Sequence, residues 1–249
     1  MDEYYINIGN DFLPINSKLI NCFGIFKLCA ENSNITIEDF LITINNPYLE
    51  KEIVNNPDEL YFAFNKIILF LENFYDNDKG FLCKLKEKKE YYLTSIKEKI
   101  GPNDKISIPK YFSDVKMPEE MYNWFLINIC ETMKFEDLSP EKYRKMEYIA
   151  AVADKYNCKF FLKLYTYFFC EFVYLIDKNG EEKIKEIFGY ECKKSELLNN
   201  ISYKLESIEI ENMISDKILN LARAVPHDSL LSFDAMEDMG EISKSCSIM

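Results

Sequence analysis

The sequence predicts an α+β protein that is mostly helical, with a short three-stranded sheet, a helical insertion and extra C-terminal helices. Three observations support this fold class. Aromatic and β-branched residues flank a Gly-Asn-Asp cluster at residues 9–11, which is typical of a hairpin. Apolar residues recur at helical spacing over most of the remaining chain. Residues 146–190 form an ordered series of two apolar helices, a polar stop and a short charged helix.

The first predicted element is a hairpin over residues 4–15. Asn16 or Ser17 then provides the side-chain oxygen that caps a helix, which we expect to continue to about Cys29. A strongly apolar helix is predicted over residues 60–75, because Pro57 and two acids precede it in the pattern of a helix start. This part of the chain therefore predicts strand, strand, helix and, later, a second and longer helix.

The next predicted helices cover residues 81–100 and 119–133. The charge run at 84–90 in the first of them is interpreted as a solvent-facing surface. Ser139 and Pro140 predict the start of the helix that leads into the segment 146–190, with Ser139 as the cap.

Two segments are candidates for the third strand of the sheet. Residues 106–108, ended by Pro109, are the favoured candidate, and residues 35–44 are the alternative. The favoured choice makes residues from about 31 to 101 an insertion. The alternative makes the later elements additions to the sheet domain.

The segment 146–190 has the most specific pattern in the chain. Its first helix reaches Tyr156 and is followed by a break at Asn157 and Cys158. An almost wholly apolar helix is predicted over 159–176, and Gly180 is expected to end it because glycine readily adopts the left-handed conformation. A third helix over 181–188 is closed by Gly189.

This order resembles the C-terminal half of the BTB/POZ fold, and within it the S-phase-kinase-associated adaptors of cullin-RING ubiquitin ligases. Residues 152–162 correspond to the family pattern A-A-x-Y-L-x-I-x-x-L-L, and residues 179–190 to G-K-T-x-E-E-I-R-x-x-F-x-I. The opening hairpin and helix, and the strand at 106–109, are also similar to the family. The resemblance implies a BTB/POZ-like domain over 1–190 with the insertion at about 31–101. Apolar stripes predict a helical extension over 191–227, and the acidic, aperiodic composition of 228–249 predicts a flexible tail.

The resemblance further implies a non-enzymatic adaptor that links an F-box-type substrate receptor to a cullin. Asp154, Lys155 and Tyr156 correspond to the face that binds the cullin scaffold. The receptor side corresponds to Ile184, Ile187, Phe188, Leu197, Leu198 and Ile201. Asp154 and Lys155 depart from the uncharged family residues, and an unmatched interface charge costs about 2–5 kcal/mol. Cullin binding is therefore expected to be lost or redirected if this departure is not compensated.

The alternative function is a BTB/POZ module that self-associates as a homodimer and is tethered to a membrane. The last four residues, Cys-Ser-Ile-Met, loosely match a C-a-a-X signal for prenylation of Cys246, although so short a pattern also arises by chance. A single prenyl chain gives only weak, reversible membrane association. No polybasic run precedes Cys246, so the sequence offers no second anchor there.

Composition narrows the classes of function. The net charge of −12 argues against a nucleic-acid partner, which requires a basic surface. The eight cysteines contain no C-x-x-C pair and there is one histidine, His227, so no metal site or cofactor is predicted. Cysteines among apolar neighbours indicate a reducing compartment, cytoplasmic or nuclear. With no phosphate loop and no Cys–His pattern, an enzyme on an unrelated helical fold is the least favoured hypothesis.

No signal peptide or membrane span is predicted. The N-terminus lacks a basic region followed by an apolar run. The apolar helix at 160–176 is short for a bilayer, which needs about 20 residues, and Lys163 and Glu171 interrupt it. A buried core helix is therefore predicted in this place.

Overall fold

The computed structural model describes residues 3–29, 34–44, 52–75, 79–98, 106, 115–189 and 193–207. Contacts divide the chain into residues 1–209 and 210–249, and all described residues belong to the first unit. This unit is mostly helical and contains a three-stranded and a two-stranded sheet. The predicted class, mostly helical α+β with a short three-stranded sheet, is confirmed.

The three-stranded sheet begins with the predicted hairpin. Strands β1 (Glu3–Ile8) and β2 (Asp11–Asn16) pair antiparallel, and Gly9 in the turn has a φ of 61°. Strand β3 (Asn34–Ile37) pairs parallel to β1, which gives the order β2-β1-β3. One face of the sheet is buried through alternating aliphatic residues: Ile6, Ile8, Leu13, Ile15, Ile35 and Ile37.

The position of β3 corrects the favoured prediction for the third strand. The strand lies within the alternative segment 35–44, with one residue more at its start, and not at 106–108. Of those latter residues the structure describes Ile106, which is buried outside any strand. Ile35 and Ile37 alternate onto the buried face, and the helical connection after β2 supplies the crossover that a parallel strand requires. Residues 34–37, which fall within the predicted insertion at 31–101, thus contribute the third strand.

The helix predicted from residue 16 to Cys29 is interrupted. The Asn16 side chain caps α1 (Ser17–Ile20) by accepting a hydrogen bond from Lys18 N at 2.9 Å, and the chain restarts as α2 (Gly24–Cys29). At the break, Gly24 N donates to the carbonyl oxygen of Asn157 at 3.2 Å. A contact with a residue more than 130 positions away thus ends the local helix, and sequence periodicity cannot show such a contact.

The sequence pattern did not predict the two-stranded sheet. Strands β4 (Leu41–Ile44) and β5 (Glu52–Asn55) pair antiparallel. Ile42, Ile44 and Val54 are buried on the face that meets the helix Pro140–Lys155, whereas Leu41 and Ile53 are exposed on the other face.

The longer helices largely follow the predictions. They are α3 (Pro57–Phe74), α4 (Lys79–Lys97), α5 (Glu119–Asn128), α6 (Pro140–Lys155), α7 (Lys159–Asn179), α8 (Glu181–Phe188) and α9 (Lys194–Ser207), with a 3₁₀ turn at Phe135–Asp137. Ser139 caps α6, Gly180 ends α7 and Gly189 ends α8 in the left-handed conformation, as predicted. Helix α5 ends five residues before the predicted boundary at 133.

Helix α7 is the centre of the core. Phe125 stacks on Phe168 with ring centroids 4.0 Å apart, and Phe135 packs on Phe172 at 4.7 Å. Phe161 completes the line of buried rings along the helix. The prediction of a buried core helix is confirmed. Among the described residues, no helix combines the length and hydropathy needed to cross a membrane.

The charge run of α4 is only partly solvent-facing, which corrects its interpretation. Lys88 is 4% exposed and Lys89 is also buried, because α4 packs against α7 and α9. Lys88 Nζ lies 2.8 Å from Glu171 Oε1 and 4.8 Å from the ring centroid of Tyr167. Lys88, which the sequence predicted to face solvent, instead forms an ion pair with Glu171 in the interface between α4 and α7.

The close approach of Gly24 to Asn157 gives a first prediction. A Cβ at position 24 would lie 2.5 Å from Asn157 Nδ2 and 3.3 Å from its Cβ. Gly24→Ala should therefore lower the free energy of unfolding by about 1–3 kcal/mol. In an Asn157→Gly background the loss should largely disappear, since glycine removes the clash and readily adopts the φ of 54° at position 157. Urea unfolding measures both effects. An equal loss in both backgrounds would contradict this packing.

The buried ion pair gives a second prediction. Glu171→Gln leaves the Lys88 ammonium buried without a counter-charge and should cost about 2–3 kcal/mol of unfolding free energy. Glu206→Gln removes the exposed partner of Lys97 and should cost less than about 0.5 kcal/mol. Adding Lys88→Met to Glu171→Gln should recover part of the loss. Similar losses for the two glutamine variants, measured by denaturant titration, would show that the pair is not effectively buried.

Candidate functional site

The residues of the predicted scaffold face lie at the C-terminal end of α6, where partial burial raises the pKa of the Asp154 carboxyl. Asp154 is exposed. Lys155 Nζ donates to Leu41 O at 2.6 Å and lies 3.2 Å from Asp39 Oδ2. Lys155 is thus engaged in holding α6 to the connection between β3 and β4.

Tyr156 serves the same junction from inside. Its ring lies 4.7 Å from that of Phe64 and 5.6 Å from that of Phe26, and its hydroxyl donates to Asp39 O at 3.4 Å. Asp39 Oδ1 also accepts from Leu41 N at 2.9 Å, and this bond together with Lys155 lowers the pKa of the Asp39 carboxyl. Sequence reasoning missed Asp39, whose loop position gives no periodic signal.

All six residues predicted for the receptor side are buried within the chain. Phe188 on α8 packs against Tyr143 and Phe172 at ring distances of 4.6 and 5.7 Å. Helix α9 packs against α4 and α7, and α8 against α6 and α7. The buried set is Ile184, Ile187, Phe188, Leu197, Leu198 and Ile201. These side chains hold helices of the same chain together and do not form an accessible surface here.

The predicted lipidation residue, Cys246, and His227 lie outside the described residues. Among the cysteines whose side chains the structure describes, Cys22, Cys130, Cys158 and Cys170 are buried, as predicted for small core residues. Burial raises the pKa of the Cys130, Cys158 and Cys170 thiols, which keeps them protonated at neutral pH. In the described ranges no group of three or more candidate metal ligands comes together.

A cavity of about 360 Å³ lies between α3, α6 and the end of β4. The first turn of α3 contributes two carboxylates, and Phe62 follows one turn later on the same side. Three residues of α6 form the opposite wall. The described residues that line the cavity are Ile44, Asp58, Glu59, Phe62, Glu131, Arg144, Lys145 and Tyr148. A cavity of this size falls at the lower end of the range for ligand sites.

Both cations of the cavity are paired with acids. Arg144 binds Glu52 through two hydrogen bonds, with Nε 2.9 Å from Oε2 and Nη2 against Oε1. The pair raises the pKa of Arg144 and lowers that of Glu52. Lys145 Nζ lies 3.0 Å from Glu131 Oε2 and 3.5 Å from Glu141 Oε1.

The carboxylates of Asp58 and Glu59 have no such partner. Neither makes an ion pair or a side-chain hydrogen bond with a described residue, although Glu59 lies near enough to Arg144 to raise the pKa of Arg144. The sequence placed Asp58 and Glu59 at a helix start, which is correct, but a helix start alone does not reveal a cavity. The sequence did not show that α6 lies opposite Asp58 and Glu59.

Tyr148 lines the cavity, but its hydroxyl has almost no accessible surface. The residue is 6% exposed, and its hydroxyl has no hydrogen-bond partner in the described part of the chain. Burial, and next the charge of Glu59, raise the pKa of this phenol above its usual range. A buried hydroxyl without a partner costs about 1–3 kcal/mol.

Comparison of the chain with protein-family models, with curated proteins and with solved structures found no match.

The Arg144–Glu52 pair predicts a dependence of stability on pH. Because the pKa of Glu52 is lowered in the folded chain, the stabilising contribution is present above the unfolded value of about 4.3 and is lost as pH falls through the folded value. Glu52→Gln should lower the melting temperature at pH 7 and reduce its loss between about pH 5 and pH 3. The effect should stay below about 1 kcal/mol, since the pair is largely exposed. An acid transition identical to that of the unsubstituted chain would contradict this pairing.

Proposed function

We propose that this chain is a non-enzymatic protein–protein interaction adaptor with a BTB/POZ-like fold, which links an F-box-type receptor to a cullin-RING ubiquitin ligase. The observation that carries the proposal is the order of elements. The hairpin of β1 and β2 is followed by two short helices and then by β3, which pairs parallel to β1. The three strands form a sheet in the order β2-β1-β3. Helices α6, α7 and α8 come later in the chain, and a glycine ends each of α7 and α8. The resemblance described from the sequence supplies the partner classes.

The scaffold contact is proposed around Asp154. Lys155 and Tyr156 support this surface from within, and the bond from Lys155 to the Leu41 carbonyl brings β4 beside the end of α6. Leu41 is 44% exposed there, and Ile53 of the neighbouring strand is also exposed on the same side of the hairpin. A carboxylate beside exposed aliphatic side chains fits a protein interface with an apolar centre and a polar rim.

The receptor contact is proposed on the outer face of α9. The six residues predicted from the resemblance face inward, so the accessible face of this helix has to make the contact. Tyr203 is 73% exposed on α9, and tyrosine is enriched in protein interfaces because one ring buries a large area. This assignment keeps the predicted helix and changes the residues that touch the receptor.

The proposal is tested with purified full-length chain, isolated cullin N-terminal domains and an F-box segment, with binding measured by calorimetry. Asp154→Lys should weaken cullin binding about tenfold or more and leave F-box binding unchanged. Tyr203→Ala should do the reverse, because truncating an interfacial tyrosine often costs about 2 kcal/mol. Glu120→Lys, an exposed acid at the start of α5, is the control and should change neither.

Absence of binding to both partner classes by a folded chain would contradict the adaptor function. If the same sample sediments as a homodimer, the self-associating module becomes the preferred function.

A further inference from the structure

We propose that the edge of β5 opposite β4 binds an extended, basic segment of a partner protein, which joins β4 and β5 as an added strand. The inference deepens the proposed scaffold contact, because it states how the hairpin of β4 and β5 is bound. That the segment belongs to a cullin-type scaffold rests on the proposed function, whereas the addition of a strand does not.

The backbone of β5 has an edge that no described strand occupies. In the described part of the chain the sheet contains β4 and β5 alone, which pair antiparallel over four residues each. Alternate residues of a strand direct their N–H and C=O groups to opposite sides, so β5 presents donors and acceptors at this edge. Glu52–Asn55 contains neither proline nor lysine, which commonly protect an edge from pairing. Such an edge is a template for an extended segment.

The edges of the other strands are less suited to a partner. Pro14 in the middle of β2 lacks the N–H that would otherwise point to the outer edge. The exposed side chains of β3 are polar. At the start of β4, Leu41 N donates to Asp39 Oδ1 at 2.9 Å, and Leu41 O accepts from Lys155 Nζ at 2.6 Å. These features favour β5 as the strand to which another is added.

Ile53 gives this edge an apolar contact. It is 56% exposed, although isoleucine is among the residues most often buried. Leu41, on the same face of the hairpin, is 44% exposed. Because Ile53 pairs with Thr43 and Leu41 pairs with Asn55, the two aliphatic side chains are diagonal neighbours. A β-branched residue on the added strand would pack beside Ile53 and remove this apolar surface from water.

The charges at one end of the hairpin favour a basic segment. Asp58 and Glu59 follow β5 in the first turn of α3, and both are exposed without an ion-pair partner among the described residues. Glu38 is exposed just before β4, whose first residue pairs with Asn55 at the same end. Two separate connections therefore bring acids to this end. A lysine or arginine at the matching end of an added strand would be complementary to them.

A second copy of this chain is the rival occupant of the edge. Pairing of two β5 strands would bring the same acids of both copies into one interface, and each chain has a net charge of −12. Like charges across an interface disfavour association. The charge of the chain therefore favours a basic partner over self-pairing.

The test uses full-length chain and a blocked, fluorescent peptide in which valine alternates with threonine and lysine stands at both ends. Fluorescence anisotropy should show binding, and hydrogen exchange over residues 52–55 should slow when the peptide is bound. Two further peptides carry N-methyl groups on one or the other alternate set of backbone amides. Only one set can face β5, so one of these peptides should bind at least about tenfold more weakly and the other should keep its affinity.

Variants of the chain test the side-chain contacts. Ile53→Ser should weaken peptide binding about five- to tenfold, because less apolar surface is buried. Ile127→Ser replaces an isoleucine that is 51% exposed on α5 and should leave binding unchanged. Glu59→Gln should weaken binding about two- to threefold at low salt and less at high salt. Glu120→Gln, in the first turn of α5, is its matched control and should have no effect.

Three results would each overturn the inference: equal effects of the two N-methylation patterns, equal losses for Ile53→Ser and Ile127→Ser, or no peptide binding at millimolar concentration. A homodimer in sedimentation that Ile53→Ser converts to a monomer would overturn it in favour of a second copy. Peptide binding without binding to cullin domains would retain the strand site and reject the scaffold contact. Cullin binding without peptide binding would retain the adaptor and reject this site.

Discussion

The burial of α7 is the constraint on which the rest of this unit depends. Its aromatic residues contact rings from α3, α5, α6 and α8, so most helices use it as a common packing partner. A helix that is apolar on nearly all sides cannot lie on a surface and has to be surrounded. The charge of Glu171, where α7 meets α4, is compensated by the buried Lys88. The helical arrangement thus follows from covering one helix.

The sheet is tied to this helical core at the junction between α6 and α7. Lys155 and Tyr156 reach the segment before β4, and Asn157 accepts a hydrogen bond from Gly24 at the start of α2. Three consecutive residues therefore hold elements from two distant parts of the chain. The residues that resemble a family's scaffold face are, in this chain, engaged in holding the fold together. An interaction at this end of α6 must use what remains exposed, which is Asp154 and the neighbouring hairpin.

The elements that could be predicted are those specified by local chemistry. The opening hairpin, the caps at Asn16 and Ser139, and the glycine ends at Gly180 and Gly189 each depend on residues adjacent in sequence. What could not be predicted depends on distant partners. The break in the first helix depends on a hydrogen bond to Asn157, and the burial of Lys88 depends on its ion pair with Glu171. The third strand could not be chosen from the sequence, because two short apolar segments have similar composition. For the candidate site, the sequence correctly placed the predicted residues on helices. It could not show which side of α8 and α9 faces solvent, because this depends on how the helices pack.

The adaptor account requires one chain to hold two partners at once on separate surfaces. The most direct measurement is sedimentation of the full-length chain mixed with a cullin N-terminal domain and an F-box protein. The account predicts a single complex that contains one copy of each and forms only when this chain is present. Separate sedimentation of the partners, with the chain folded and at concentrations well above micromolar, would contradict it.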